Sequence, residues 1–378
     1  MNTMKKKIWK MSGAVLVALT LTIGCIGVNT ATVQAAEYSV APATAVLYTG
    51  SGAEVFAQPD PATLVTVLLG DVPLQVTGMT SNGYFQVVVN DGIFYVYGKA
   101  LSAAVGTNAY KLTSIDAKAA LVGDAATGQL IYAQNAYDRL APASTTKIMT
   151  VLLVMDAIAQ GKIALDTPVM VSSTALAGIP SDASHVSPRL KAGEVMNVLE
   201  LLECVMLSSD CHACNVLAEL VAGSVDNFIA MMNARAAALG CTETNFVNTS
   251  GYPDPNHYTN AYSLFLVTKE AYRYPVFQVI AAMPAAVIPA TNMAPERSQE
   301  TTNALMKASE YYNPYAIGVK TGSAQSSGLC LVGAAKKNDT TVITVVLGAG
   351  NNLMSDGTRL KQQFSETNKL IEMGLAGK

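Results

Sequence analysis

The sequence predicts an α+β protein: an antiparallel sheet flanked by helices, preceded by a small all-β barrel. Three observations carry that expectation. Short segments rich in β-branched and aromatic residues recur at even spacing between about residues 42 and 102. In the rest of the chain, strand-like runs stand at both ends of a long, mostly helical middle, so one sheet is assembled from two ends and covered by helices. The chain has 378 residues, 51% hydrophobic and only 13% charged, against roughly 25% charged in an average soluble domain. That excludes a disordered chain and leaves room for about two domains.

The first segment, 1–36, reads as an address. Lys5, Lys6, Lys7 and Lys10 precede an apolar run from Gly13 to Val28, and Val33-Gln34-Ala35 supplies small residues before Ala36. This is the order of a secretory signal peptide, cut after Ala35 or Ala36. The run is marginally long, so a retained membrane anchor is the alternative. Lipidation at Cys25 is disfavoured, because Thr22-Ile23-Gly24-Cys25 lacks the Leu usual three places earlier. Export implies an extracellular, cell-wall or cell-surface location. Removing the segment takes away four lysines and no acid, so the formal charge of −3 becomes −7. With no basic stripe visible, a nucleic-acid partner is excluded. Five cysteines remain (Cys204, Cys211, Cys214, Cys241 and Cys330), an odd number that does not suggest a full disulfide framework.

Residues 37–112 hold the all-β unit and a connector. Ala45–Tyr48, Leu64–Leu69, Leu74–Val76 and Tyr84–Val89 are the strand candidates, separated by Gly-containing turns at Gly50-Ser51-Gly52, Gly70-Asp71, Ser81-Asn82-Gly83 and Asn90-Asp91-Gly92. Tyr84 to Val88, the turn at 90–92, Phe94-Tyr95-Val96 and Leu101-Ser102 resemble the closing hairpin of bacterial SH3-like cell-wall domains, with Tyr84 where Trp is usual. That resemblance implies either cell-wall binding or a spacer with no ligand of its own.

The larger body, 113–378, opens with a hairpin, Ala119–Val122 and Gln129–Tyr132 around Ala126-Thr127-Gly128. Near its end Gly328–Ala335 and Thr340–Leu347 form two more strands, and an amphipathic stretch, Gly357 to Met373, closes the chain. No apolar stretch after the leader is long enough to span a bilayer. The run Ile148–Ala157 is interrupted by Asp156 and reads as a buried helix.

The chemistry concentrates at the start of that helix. Pro142-Ala143-Ser144-Thr145-Thr146-Lys147 places Ser144 and Lys147 three residues apart, on one helical face. A neutral lysine there can take the proton that keeps a serine from being a nucleophile, and the helix N-terminus offers N–H groups to the reacting carbonyl. Lys320-Thr321-Gly322 adds a cation and a hydroxyl on a strand edge, suited to a carboxylate, with Gly322 leaving room for a substrate backbone. Two lysines sharing a cavity also disfavour double protonation, which lowers the pKa of one.

Ser-x-x-Lys and Lys-Thr-Gly occur here in the order found in penicillin-binding proteins and class A β-lactamases. Asp124-x-x-Thr127-Gly128, Leu201-Leu202, Leu217-Ala218-Glu219, Met232-Asn233, Leu239-Gly240, Phe246-x-Asn248-x-x-Gly251 and His257-Tyr258-Thr259 extend the match. From about Ile115 onward the chain resembles the low-molecular-mass D-alanyl-D-alanine carboxypeptidases, serine DD-peptidases. The resemblance implies an acyl-enzyme on Ser144, with Lys147 as base and Ser209 relaying a proton. Lys320, Thr321 and Gly322 then bind the substrate, and Ser144 and Ser323 supply oxyanion-hole N–H groups. It also implies a peptidoglycan stem peptide ending in D-Ala-D-Ala as substrate, β-lactams as covalent inhibitors, and no metal or organic cofactor.

One motif departs from the pattern. Ser209-Asp210-Cys211 stands where the family usually has Ser-x-Asn, and Cys211, also expected at the substrate, is a weak hydrogen-bonding group beside an amide. Its place near a helix start and two lysines is a setting that makes a thiol reactive. Cys211-His212-Ala213-Cys214 lacks the second pair a zinc site needs. His185, His212 and His257 are too scattered for a Ser-His-Asp triad, and His257 reads as a structural loop residue. Other readings stay open: a DD-transpeptidase or endopeptidase, a class A β-lactamase relative using Glu243, or a catalytically impaired wall-binding or β-lactam-sensing protein.

Overall fold

The computed structural model describes residues 39–49, 53–60, 63–68, 73–89, 92–97, 101–103, 115–180, 183, 185–241, 243–353 and 359–376. The predicted leader and most of the connector lie outside the described residues.

The first unit is all-β, as the sequence predicts. Its strands are β1 (Val40–Thr49), β2 (Ala53–Phe56), β3 (Leu64–Leu68), β4 (Pro73–Thr80), β5 (Tyr84–Val89), β6 (Gly92–Tyr97) and β7 (Leu101–Ala103). They pair in the order β3-β2-β6-β5-β4-β1-β7, antiparallel throughout. Side chains alternate as a half-buried strand requires: Leu74 and Val76 point inward while Gln75 and Thr77 are exposed. Tyr84, in the place of the usual Trp, packs edge-on against Phe56 with centroids 5.5 Å apart and tilted on Tyr97 at 5.1 Å.

The body begins with β8 (Ala119–Asp124) and β9 (Leu130–Gln134), the expected hairpin. The helical middle follows: α1 (Lys147–Ala159), β10 (Pro168–Met170), α2 (Ser173–Leu176), β11 (Val195–Asn197), α3 (Val198–Met206), α4 (Cys211–Ala222), α5 (Val225–Ala238), α6 (Ala261–Ala271) and α7 (Pro275–Ala281). The last part holds β12 (Ala285–Ile288), β13 (Arg297–Glu300), β14 (Ala316–Ala324), β15 (Gly328–Lys337), β16 (Thr340–Ala349), β17 (Asn351–Leu353), β18 (Arg359–Lys361) and α8 (Gln362–Leu375). The main sheet runs β14-β15-β16-β8-β9, antiparallel and built from both ends of the body. The C-terminal stretch differs from expectation at its start. Arg359–Lys361 pairs as a strand with Asn351–Leu353, and the helix begins only at Gln362.

Two layers of helix cover the sheet. α8 packs on β15, β16 and β8, while α6 packs on the opposite face of β16 and β8. That is why Ala119–Val122 is apolar without alternation and buried on both sides. α1 lies at the centre of the helical layer, and every side chain from Lys147 to Met155 is buried. A helix apolar all round belongs in a core. Asp156, which interrupts the run, sits where the helix emerges and pairs with Arg235 at 2.9 Å. Among the described residues no single helix is long and apolar enough to cross a membrane.

The loop over residues 245–252 closes on the head of α1. Gly251 has φ +81°, and a Cβ there would fall 1.7 Å from the Ala143 carbonyl oxygen. Gly251→Ala therefore meets both backbone strain and a steric overlap, and it should cost on the order of 3 kcal/mol. Urea unfolding measures this; a variant as stable as the parent would contradict the packing of this loop on the turn before α1.

Candidate active site

The site is built outward from a strained turn. Ala143 takes φ +48° and opens a 3₁₀ turn, Ala143–Thr146, that runs directly into α1. The Thr145 hydroxyl ties the turn by donating to the Pro142 carbonyl at 2.7 Å. Ser144 is left half-buried and Lys147, one turn later, is fully buried. The sequence spacing is borne out: Lys147 Nζ lies 2.9 Å from Ser144 Oγ. It also lies 2.8 Å from the Ser250 carbonyl oxygen and 3.4 Å from Cys211 Sγ. A carbonyl can only accept, so Ser250 fixes one N–H of the amine. Together with the contacts to Cys211 and Ser144, this holds Lys147 Nζ against the serine hydroxyl.

Ser250 is held by residues whose sequence signal did not disclose this role. Asn248 Oδ1 accepts from the N–H groups of Ser250 (3.2 Å), Gly251 (2.7 Å) and Tyr252 (3.1 Å). Asn233 clamps the start of the loop by accepting from Phe246 N–H and donating to Phe246 O, both at 2.8 Å. His257 is the structural loop residue expected. Val247 N–H donates to its Nδ1 at 3.2 Å, so Nε2 carries the proton and donates to Thr146 Oγ1 at 2.8 Å. Burial, with the Lys147 charge adding to it, lowers the His257 pKa to about 4, which keeps the ring neutral.

The second wall comes from the α3–α4 junction. Ser209, buried, has φ +64°, and its carbonyl accepts from His185 Nδ1 at 3.1 Å. Asp210 caps α4 by accepting from Ala213 N–H at 2.9 Å and also accepts from His185 N–H at 3.0 Å. His185, which the sequence left unassigned, therefore braces Ser209 and Asp210. Cys211 opens α4 and reaches Lys147. Among the described residues the Ser209 hydroxyl makes no hydrogen bond to either lysine.

The third wall is β14, the edge of the main sheet. Lys320 and Gly322 turn inward, whereas Thr321 is half-exposed and Ser323 exposed. Gly322 faces the turn that carries Ser144: a Cβ on it would lie 3.0 Å from both Pro142 O and Ser144 N. Lys320 Nζ donates to Thr321 O at 3.1 Å. Its pKa falls to about 7, through burial first and the Lys147 charge second. The other groups acting on it are Cys214 and Cys211, with no carboxylate among them. A buried ammonium lacking a counter-ion is a site for an anionic ligand group.

The remaining candidates fall elsewhere. Glu243 is ion-paired with Arg139 at an exposed position. The five cysteines among the described residues are free and buried, and those residues contain no group of three potential metal ligands.

Residues 105–351 match the peptidase family described as D-alanyl-D-alanine carboxypeptidase. The chain belongs to this family. It is 34% identical over 234 residues to D-alanyl-D-alanine carboxypeptidase DacF of Bacillus subtilis, covering 62% of this chain and 58% of that protein. It is 32% identical to DacC of Escherichia coli, covering 75% of this chain and 67% of the relative. The chain thus spans about three-fifths to two-thirds of the length of these relatives. Among solved structures, the Streptomyces K15 DD-transpeptidase superposes with a TM-score of 0.61 at 28% identity, over 70% of this chain and 98% of that one. Variants of that protein substitute a serine and a cysteine two positions apart, the spacing of Ser209 and Cys211.

Lys320 makes stability depend on pH. It binds its proton less tightly in the folded protein, at about 7, than the ordinary 10.5 of an unfolded lysine. The unfolded chain therefore holds more protons between those values, and this residue's contribution to stability rises with pH across that window. Lys320→Met should melt higher than the parent below pH 7, with the margin shrinking toward pH 10. A constant difference across that range would contradict the uncompensated buried cation.

Proposed function

We propose that the protein is a serine-type D-Ala-D-Ala carboxypeptidase that removes the terminal D-Ala from peptidoglycan stem peptides. The observation that carries this reading is the 2.9 Å approach of Lys147 Nζ to Ser144 Oγ beside a second buried lysine that has no carboxylate partner. In this mechanism Lys320 and Thr321 hold the substrate's terminal carboxylate. Lys147 accepts the Ser144 proton as Oγ attacks the penultimate D-Ala carbonyl. The backbone N–H groups of Ser144 and Ser323 stabilise the oxyanion, and Ser209 passes a proton to the departing amine. Water then cleaves the acyl-enzyme. A β-lactam acylates the same serine and leaves slowly.

The leader, 1–36, would export the protein to the cell surface. The β unit, 37–112, is read as an SH3-like wall-binding module ahead of a peptidase domain, 113–378. A second reading, transfer of the acyl group to an amine, is favoured by one observation. Cys211 occupies the position of the usual Asn, at the spacing shared with the Streptomyces K15 DD-transpeptidase.

Fluorescent penicillin should label the parent and not Ser144→Ala, and Lys147→Met should slow acylation about 10²–10⁴-fold. Release of D-Ala from a diacyl-D-Ala-D-Ala peptide, with and without an added amine acceptor, separates hydrolysis from transfer. Undiminished labelling of Ser144→Ala would remove this reading.

A further inference from the structure

The β unit and the peptidase body meet beside the segment that leads to the nucleophile. Phe85 of β5 packs edge-on against Tyr137 at 6.1 Å, and Gly83 lies against the same ring. Between the two bodies opens a cleft of about 370 Å³, within the size range of small-molecule sites. Asn82 and Tyr97 line it from the β unit, and Tyr137, Arg139 and Glu243 from the body. Arg139 also lines a second cleft, of about 640 Å³, together with Asp254, Tyr258 and Ser326. Asp254 and Ser326 in turn border a third, small cavity that reaches Ala143 and Ala324, the neighbours of Ser144 and Ser323. Arg139 borders the first two cavities and Asp254 and Ser326 the last two, so the three stand in a row, a discontinuous trough from the β unit to the turn that carries Ser144.

We propose that this trough binds the glycan-bearing part of the substrate, with an N-acetylhexosamine in the cleft between the two bodies and its peptide running toward Ser144. This rests on the peptidoglycan reading above and adds a sugar subsite to it. Tyr97 and Tyr137 line this cleft, aromatic rings with polar tips of the kind that pack against the C–H face of a pyranose. The Tyr137 hydroxyl is buried with no hydrogen-bond partner among the described residues. Asn82, Arg139 and Glu243 add donors and acceptors for hydroxyl and acetamido groups. The charge balance selects against a polyanion: Arg139 is paired with Glu243, its guanidinium lies over Tyr258 at 4.7 Å, and Asp138 adds an acid to the same wall. A neutral polyhydroxylated ligand fits that balance.

The test compares one D-Ala-D-Ala peptide with and without its N-acetylmuramyl-containing disaccharide, in the parent and in Arg139→Ala and Asn82→Ala. Both substituted positions are exposed, and melting curves verify folding. The parent should show a KM about fivefold to tenfold lower for the sugar-bearing substrate, roughly 1 kcal/mol or somewhat more. Both variants should lose that advantage while their kinetics on the bare peptide stay unchanged. In a second arm, calorimetric titration with a peptide-free N-acetylglucosamine tetramer should give saturable binding that both substitutions weaken. Equal KM values in the parent, an advantage that survives both substitutions, or no saturable binding would overturn the proposal. Oligosaccharide binding by a protein that turns over neither peptide would uphold the trough and remove the peptidase reading instead.

Discussion

Two buried lysines, Lys147 and Lys320, the charge of one acting on the other, organise this structure. Neither ammonium has a carboxylate among the contacts described for it. An unpaired buried cation is costly, and the ordinary relief is to shed the proton. Lys320 follows that course, its pKa lowered to about 7. The unfavourable arrangement is kept by the packing around it, since α1 is buried on all sides. On the proposed reading, a substrate carboxylate supplies the counter-ion that Lys320 lacks, in the site where Lys147 lies against Ser144.

Holding that arrangement requires close backbone contact from three directions. Gly322 admits the nucleophile turn against β14, and Gly251 admits the 245–252 loop against Ala143. Asn248 then gathers three N–H groups so that Ser250 presents its carbonyl to Lys147. From the third side, His185 and Asp210 hold the α3–α4 junction. The positive φ angles of Ala143 and Ser209 fall at two of these junctions, where surrounding contacts fix an otherwise unfavourable backbone.

The features legible in the sequence are those carried by period and spacing. The i, i+3 placement of Ser144 and Lys147 survives in the structure because a helical turn repeats whatever surrounds it. The sheet built from both ends of the body follows from the apolar runs at 119–122, 328–335 and 340–347. Contacts that depend on distant segments meeting were not legible. Ser250 carries no side-chain chemistry in the site, because its backbone carbonyl does the work, and no residue pattern encodes that. His185 lies in a stretch without periodicity. The contact of Gly322 with the turn at Pro142 to Thr145 joins segments far apart in the chain, and no local pattern announces it. The start of α8 at Gln362 is not marked in the sequence, because an amphipathic pattern does not distinguish a helix from a short strand leading into it.

If the substrate carboxylate is the counter-ion that Lys320 lacks, binding must restore the lysine's proton. Calorimetric titration of Ser144→Ala with a D-Ala-D-Ala peptide, in buffers of different ionisation enthalpy, measures that proton directly. With a free-state pKa of about 7, uptake should approach one proton per site at pH 8 and vanish near pH 6. Binding with no proton uptake at pH 8 would contradict the account.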